Sequence, residues 1–247
     1  MKKHRVSTNC EFVRLLTSIS QRYNAWEVWS DFVSMFAIAI SNAVDPRYRD
    51  AREETYMSII QKYNEHERPV FPKLVAEVVM ALEENPEQDF LGRMFMELNL
   101  GDHWKGQFFT PYDICELMAA ITASRAVEQI EEKGYITIND CACGAGATLI
   151  AGCHAIRDEL YHKKSPLCWQ NHVLVAAQDL DCTAAMMCYI QLSLLGCAGY
   201  VKVGNSLTDP MWEGDDKSQY WYTPMYFSDT WIMRRIIHTI DNATKAS

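Results

Sequence analysis

Two acidic turns in the middle of the chain follow apolar segments and have residue types suited to holding a polar ligand. Residues 135–139 are rich in β-branched side chains and are followed by Asp140 and the glycine turn 144–146. A second apolar segment, 173–177, ends at Asp179. A carboxylate at a strand end can accept hydrogen bonds from a pair of hydroxyls, and glycine lets a ligand approach the backbone. The pattern predicts a ligand site at the carboxyl ends of parallel strands.

A single Gly-x-Gly turn fits an ordinary loop equally well, but two further segments extend the pattern. Residues 106–111 read Gly-Gln-Phe-Phe-Thr-Pro, ahead of the first predicted strand. A third predicted strand, 200–203, is followed by Gly-Asn-Ser-Leu at 204–207. The interval between the two acidic strand ends is longer than the roughly 20 residues usual in dinucleotide-binding folds. The polar loop at 163–166 accounts for the excess length.

The order of these motifs, with Asp-x-Ala-Cys-Gly-x-Gly at 140–146 and Gln-Asp-x-Asp at 178–181, resembles the adenine-N6 DNA methyltransferases. The resemblance is strongest to the modification subunits of type I restriction systems and covers about residues 106–210. It implies S-adenosylmethionine as the cofactor and DNA as the partner. It also implies an α/β fold, a Rossmann-like methyltransferase sheet preceded by an all-α N-terminal domain.

The resemblance assigns roles to individual residues of the cofactor site. Thr110 matches the residue that contacts the methionine end, and Asp140 with the 144–146 turn matches those around its amino and carboxylate groups. Asp179 matches the ribose-binding acid, and Asn205 the group that recognises the adenine ring of the cofactor. The full predicted set is Phe109, Thr110, Asp140, Ala142, Gly144, Ala145, Gly146, Asp179, Leu180, Asn205 and Ser206. The chain departs from the family pattern in having Cys141 in place of proline and Ala145 in place of threonine.

The Asn-Pro-Pro-aromatic motif with which the family holds a flipped adenine does not occur in the sequence. In that motif the Asn and a Pro carbonyl accept from the amine, and the aromatic ring stacks on the base. Residues 209–212, Asp-Pro-Met-Trp, follow Asn205 too closely for an intervening helix and strand. Residues 223–226, Thr-Pro-Met-Tyr, follow the strand-like segment 219–222 and fit the chain order better. The candidate catalytic residues are therefore Thr223, Pro224 and Tyr226. The alternative interpretation of 209–212 is an ordinary turn, and that of 223–226 is an edge strand containing proline.

The composition is typical of a globular protein, with 49% hydrophobic and 22% charged residues. The net charge of −9 counts against a large non-specific nucleic-acid footprint but allows local DNA contacts. The apolar run 32–40 is too short to cross a bilayer, so no membrane association is expected. The nine cysteines form no disulfide framework and no zinc spacing, which indicates a reduced cytosolic setting without a metal site.

Apolar residues at helical spacing predict that residues 1–105 form a helical N-terminal domain. The strand-end motifs and the resemblance predict a Rossmann-like methyltransferase domain at 106–247. Helices are predicted to begin after Ser30 or Asp31, at Pro46 and at Pro72. In the sheet, we expect strand 1 in a central position, strand 2 beside it and strand 3 outside strand 2. Only four strands are predicted, so we expect a truncated sheet, or one completed by a specificity or other subunit or by self-association.

Two functions from different classes fit this sequence. The first is an S-adenosylmethionine-dependent DNA methyltransferase that transfers a methyl group to a flipped adenine, as in restriction-modification. The second is a catalytically degenerate cofactor-binding or DNA-modification accessory protein, because the catalytic motif is missing. A methyltransferase for another amine or a small substrate is a third interpretation.

Overall fold

The computed structural model describes residues 11–100, 109–212 and 214–245. The first part of the Gly-Gln-Phe-Phe-Thr-Pro motif, including Phe108, lies outside these residues. Within the described ranges the chain forms ten α-helices and one four-stranded sheet. The helices of the first hundred residues are α1 (Glu11–Ser20), α2 (Ala25–Val44), α3 (Arg49–Ile60), α4 (Val70–Glu84) and α5 (Phe90–Glu97).

Three helix starts differ from the sequence prediction, and capping explains one of them. Helix α3 begins at Arg49 rather than at Pro46, because a short 3-10 turn, Pro46–Tyr48, precedes it. Helix α2 begins at Ala25 because the side chain of Asn24 accepts a hydrogen bond from the backbone N–H of Trp26 at 2.9 Å. Its predicted start after Ser30 or Asp31 is therefore wrong. Helix α4 begins at Val70, which places Pro72 inside the first turn, where a missing N–H breaks no helical hydrogen bond.

The second part of the chain alternates helices and strands. The elements in order are α6 (Tyr112–Thr122), α7 (Ala126–Lys133), β1 (Ile136–Asp140), α8 (Ala147–His162), β2 (Val173–Asp179), α9 (Cys182–Leu194), β3 (Ala198–Val203), β4 (Tyr220–Tyr222) and α10 (Asp229–Lys245). The three predicted parallel strands are confirmed, with bounds that differ by one or two residues. The fold is therefore mixed α/β, with an all-helical first part.

The described sheet has the order β1-β2-β3-β4. Strands β1, β2 and β3 are parallel, with Ile138 opposite Val175, whereas β4 is antiparallel to β3, with Tyr222 opposite Tyr200. The placement of strand 2 beside strand 1, with strand 3 outside it, is confirmed. The central placement of strand 1 is wrong, because β4 pairs with β3 and leaves β1 at the end of the described sheet.

The hydrophobic core crosses the predicted domain boundary. One cluster of buried residues contains Phe12 and Trp29 from the helical part as well as Val175 and Tyr189 from the sheet part. Helix α2 packs against α9, and the hydroxyls of Ser30 and Thr183 lie 3.4 Å apart at this contact. The core is continuous across residue 105 and does not mark a boundary there. The division into two domains at this residue stays a prediction. None of the described helices combines the length and the apolar character needed to cross a membrane.

Candidate functional site

A cavity of about 200 Å³ lies at the carboxyl ends of β1 and β2. Seven of its lining residues belong to the predicted cofactor set: Phe109, Thr110, Asp140, Ala142, Gly144, Ala145 and Asp179. Asp89, Cys143, Ala147, Thr148 and Ala184 complete the lining. The structure thus brings together residues that are up to 95 positions apart in the sequence, from Asp89 to Ala184. Gly146, Leu180, Asn205 and Ser206 do not line this cavity.

The turn after β1 requires glycine at two positions. Gly144 has a φ of 54° and Gly146 a φ of 95°, both in the left-handed region that glycine adopts without strain. A Cβ atom at Gly144 would lie 2.9 Å from the ring of Phe109, and one at Gly146 would lie 2.9 Å from Cys188 Sγ. The turn therefore packs closely against the cavity wall on one side and against α9 on the other. Gly146 does not line the cavity but lets the turn pack against Cys188 on α9.

The two predicted acids hold this turn in place. Asp140 accepts hydrogen bonds from the backbone N–H of Ala142 at 3.1 Å and from the hydroxyl of Thr148. Asp179, at the end of β2, accepts from the backbone N–H of Gly144 at 2.8 Å through Oδ2 and from the N–H of Asp181 at 2.9 Å through Oδ1. A carboxylate oxygen can accept more than one hydrogen bond, so both acids keep acceptor capacity for a ligand.

Asp89 belongs to the helical part of the chain, and no sequence pattern predicts its place at this site. Its Oδ1 accepts from the N–H of Gly92 at 2.8 Å, which caps α5, and from the side-chain amide of Gln191 at 2.8 Å. The same amide donates to the carbonyl of Ala145 at 2.8 Å, and its oxygen accepts from the N–H of Leu91. The buried Gln191 therefore connects α5 to the glycine turn.

Burial raises the pKa of the Asp89 carboxyl, although the hydrogen bonds from Gln191 and Gly92 favour its ionised form. A second buried group near the turn, the Cys188 thiol, has its pKa raised well above its ordinary value by the hydrogen bond with Cys143 and by burial. The Cys188 thiol is thus a neutral packing group behind the turn. Over the ranges that the structure describes, no three His, Cys, Asp or Glu side chains are grouped to hold a metal ion.

Asn205 and Leu180 lie beside the cavity rather than in it. Asn205 follows β3, and its side-chain oxygen accepts from the backbone N–H groups of Leu207 and Thr208 at 2.9 and 3.3 Å. The N–H of Gly204 donates to the carbonyl of Asp179 at 2.9 Å, which places the loop after β3 at the same edge of the sheet. Leu180 is exposed.

The candidate catalytic residues Thr223, Pro224 and Tyr226 do not line this cavity. Thr223 is fully buried; its hydroxyl accepts from the N–H of Gly199 at 3.0 Å and donates to the carbonyl of Cys197 at 2.7 Å. Tyr226 lines a separate cavity of about 580 Å³ together with other aromatic residues. The guanidinium of Arg235 lies 3.9 Å from the centroid of the Tyr226 ring, and the ring of Tyr222 lies 4.7 Å from it.

These contacts hold the Thr223 hydroxyl in the protein interior and pack the Tyr226 ring against Arg235 and Tyr222. The catalytic role of Thr223, Pro224 and Tyr226 stays a prediction, and this geometry gives it no support. Residues 209–212 are the other segment that partly matches the catalytic motif. Here the Asp209 carboxylate pairs with the buried ammonium group of Lys202 at 2.8 Å. That contact fixes the 209–212 loop to β3.

Comparison with known protein families supports the resemblance found in the sequence. The family model for N-6 DNA methylases matches residues 89–245, which is more than half of the chain. The match begins at Asp89, so it includes α5 together with the whole cavity. No curated protein matched the chain. The chain belongs to the N-6 DNA methylase family.

Proposed function

We propose that the cavity at the ends of β1 and β2 binds S-adenosylmethionine, within a sheet of the Rossmann-like methyltransferase type. The observation that carries this proposal is the joint placement of Asp140, Asp179 and the 144–146 turn around one opening. Parallel strands with right-handed crossovers place ligands at this edge. The enclosed volume of about 200 Å³ is smaller than a typical ligand pocket of roughly 300–1,000 Å³, so it would hold only part of the cofactor. The remainder would extend towards Asn205.

The residues of the cavity fit the polar groups of this cofactor. Asp140 would accept from the amino group of the methionine end, and Thr110 and the 144–146 turn would lie beside its carboxylate group. Asp179 would accept from the ribose hydroxyls through the lone pairs that its two backbone contacts leave available. When bound, S-adenosylmethionine would supply an electrophilic methyl group. The protein residues hold and orient it in line with the acceptor nitrogen, which is a large part of the catalytic task in a methyl transfer.

We propose DNA adenine N6 as the methyl acceptor and DNA as the partner, by membership of the family. The direct experiment is transfer of labelled methyl groups from S-adenosylmethionine to mixed double- and single-stranded DNA. We expect label at N6 of adenine in DNA digested to nucleosides. Label on cytosine alone would contradict the adenine assignment.

A second candidate function is a cofactor-binding accessory protein that does not transfer methyl groups. The specific observation in its favour is that Thr223 and Tyr226, the candidates nearest to the family's catalytic pattern, are occupied by internal contacts. This function predicts saturable binding of S-adenosylmethionine together with no label in any DNA. The transfer experiment, run alongside a binding titration, separates the two functions.

We also propose that a second copy of the chain covers an apolar row on α6. Ile114, Leu117, Met118 and Ile121 share one face of this helix and are 48–70% exposed. The same helix buries Cys115 and Ala119 against the protein, so the row faces outward. The outer edge of β1 also has no partner strand within the described sheet. Exposed apolar rows and open strand edges are both typical of association surfaces.

Light scattering during size-exclusion chromatography tests this association. We expect a dimer at micromolar concentration for the wild type, and a monomer for Leu117→Glu, because a charge at the centre of an apolar contact loses its water without a partner. Met80→Glu is a matched control, since Met80 is exposed on α4, away from this row. A monomeric wild type at high concentration contradicts the proposal.

A further inference from the structure

The cavity has a strongly negative lining. Asp89, Asp140 and Asp179 all line it, and no Lys, Arg or His does so among the described residues. Two of the three acids come from strand ends, where Asp140 and Asp179 also organise the turn. Asp89 comes from the helical part of the chain, where it is the N-cap of α5. The site therefore contains a carboxylate that the strand-and-turn pattern does not explain.

The hydrogen bonds of Asp89 use one of its two oxygens. Both the N–H of Gly92 and the amide of Gln191 donate to Oδ1, each at 2.8 Å. No donor from the part of the chain that the structure describes reaches Oδ2. Asp89 is only 8% exposed, and Gln191, which orients it, is fully buried. Within the described residues, the carboxyl is thus held at the cavity wall through Oδ1, and Oδ2 makes no hydrogen bond.

We propose that Asp89 is a specificity-determining residue that supplies the counter-charge for the sulfonium of S-adenosylmethionine. This inference rests on the proposed cofactor site. The amino group and the ribose of the cofactor are accounted for by Asp140 and Asp179, and the sulfonium is its remaining cationic group. A sulfonium carries no hydrogen on sulfur that it could donate, and a nearby negative charge stabilises it by direct electrostatic attraction. In a site shielded from water this attraction is much stronger than in solution.

The same arrangement would distinguish the cofactor from the product. After methyl transfer the sulfur is a neutral thioether, as in S-adenosylhomocysteine, and the attraction to Asp89 is lost. Burial raises the pKa of the Asp89 carboxyl, so its ionised form is unfavourable unless a cation compensates it. A neutral sulfur leaves that cost uncompensated. Asp89 would therefore favour the methyl donor over the spent cofactor.

The variant Asp89→Asn tests this inference. Asparagine has the same shape and can keep both hydrogen bonds of Oδ1 through its amide oxygen, and it is an equally good helix cap. Calorimetric titrations with S-adenosylmethionine and with S-adenosylhomocysteine measure the two affinities. We expect the affinity for S-adenosylmethionine to fall about tenfold and that for S-adenosylhomocysteine to change less than about twofold. Glu131→Gln, which removes an exposed acid on α7, should change neither affinity.

Thermal unfolding of the variant shows whether the fold is kept. Equal losses of affinity for both ligands, or no loss for either, would overturn the role of Asp89 while the proposed cofactor site stands. A wild type that binds neither ligand would overturn the proposed site and this inference together. The ratio of the two affinities is a readout that a purely structural role of Asp89 would not change.

Discussion

Replacement of Asp140 or Asp179 by alanine should weaken S-adenosylmethionine binding by about 1–3 kcal/mol each, which is about 5- to 150-fold in Kd. Each substitution removes a charged acceptor from the cavity and also a contact that fixes the turn. Asp140→Ala releases the N–H of Ala142 and the hydroxyl of Thr148. Asp179→Ala releases the N–H of Gly144 and the N–H of Asp181. Isothermal titration calorimetry measures the effect directly.

The matched control for these variants is Glu131→Ala. Glu131 is an exposed acid on α7, so its removal changes the net charge equally without touching the cavity. We expect its affinity to equal that of the wild type. If all three variants bind like the wild type, the cofactor does not occupy this cavity.

The variant Gly199→Ala should reduce the free energy of unfolding by about 2–3 kcal/mol, as expected for overpacking between two strands. Gly199 lies on β3 opposite Val175 on β2. A Cβ atom built there would lie 2.3 Å from the carbonyl oxygen of Val175 and 2.8 Å from its Cβ. Both contacts involve backbone or rigid atoms, so β2 and β3 would have to separate. Urea denaturation followed by circular dichroism measures the change.

The variant Gly152→Ala should have the opposite effect on stability, at a second glycine. Gly152 lies inside α8, and its Cβ would meet only the Cδ1 of Ile138, at 3.5 Å, an ordinary contact distance. Because glycine weakens a helix interior, we expect alanine to stabilise the protein by about 0.5–1 kcal/mol. Similar effects of the two substitutions would contradict the register of β2 and β3.

The parts of the fold that follow from local patterns could be predicted from the sequence. The β-branched segment before Asp140 forms β1, and the apolar segment before Asp179 forms β2, because short apolar runs between polar turns favour buried strands. The start of α2 does not follow from the local pattern, because Asn24, and neither Ser30 nor Asp31, provides the cap. The edge position of β1 was also missed. Chain order does not reveal that β4 returns antiparallel to β3.

The candidate site was predictable where it depends on consecutive residues. The 144–146 turn and the two strand-end acids could be recognised because strand, acid and glycine follow one another in the chain. Asp89 could not be recognised in this way. It reaches the cavity through Gln191, which is 102 positions away in the sequence, and such a contact exists only after α5 packs against α9. Likewise, only the packing shows that Thr223 is buried against Gly199.

The most direct test of the central claim is a crystal structure of the chain with S-adenosylmethionine bound. We predict that the cofactor lies at the carboxyl ends of β1 and β2, with its ribose on Asp179, its amino group near Asp140 and its sulfur beside Asp89. Cofactor density in the aromatic cavity next to Tyr226, or no cofactor density at saturating concentration, would contradict the account.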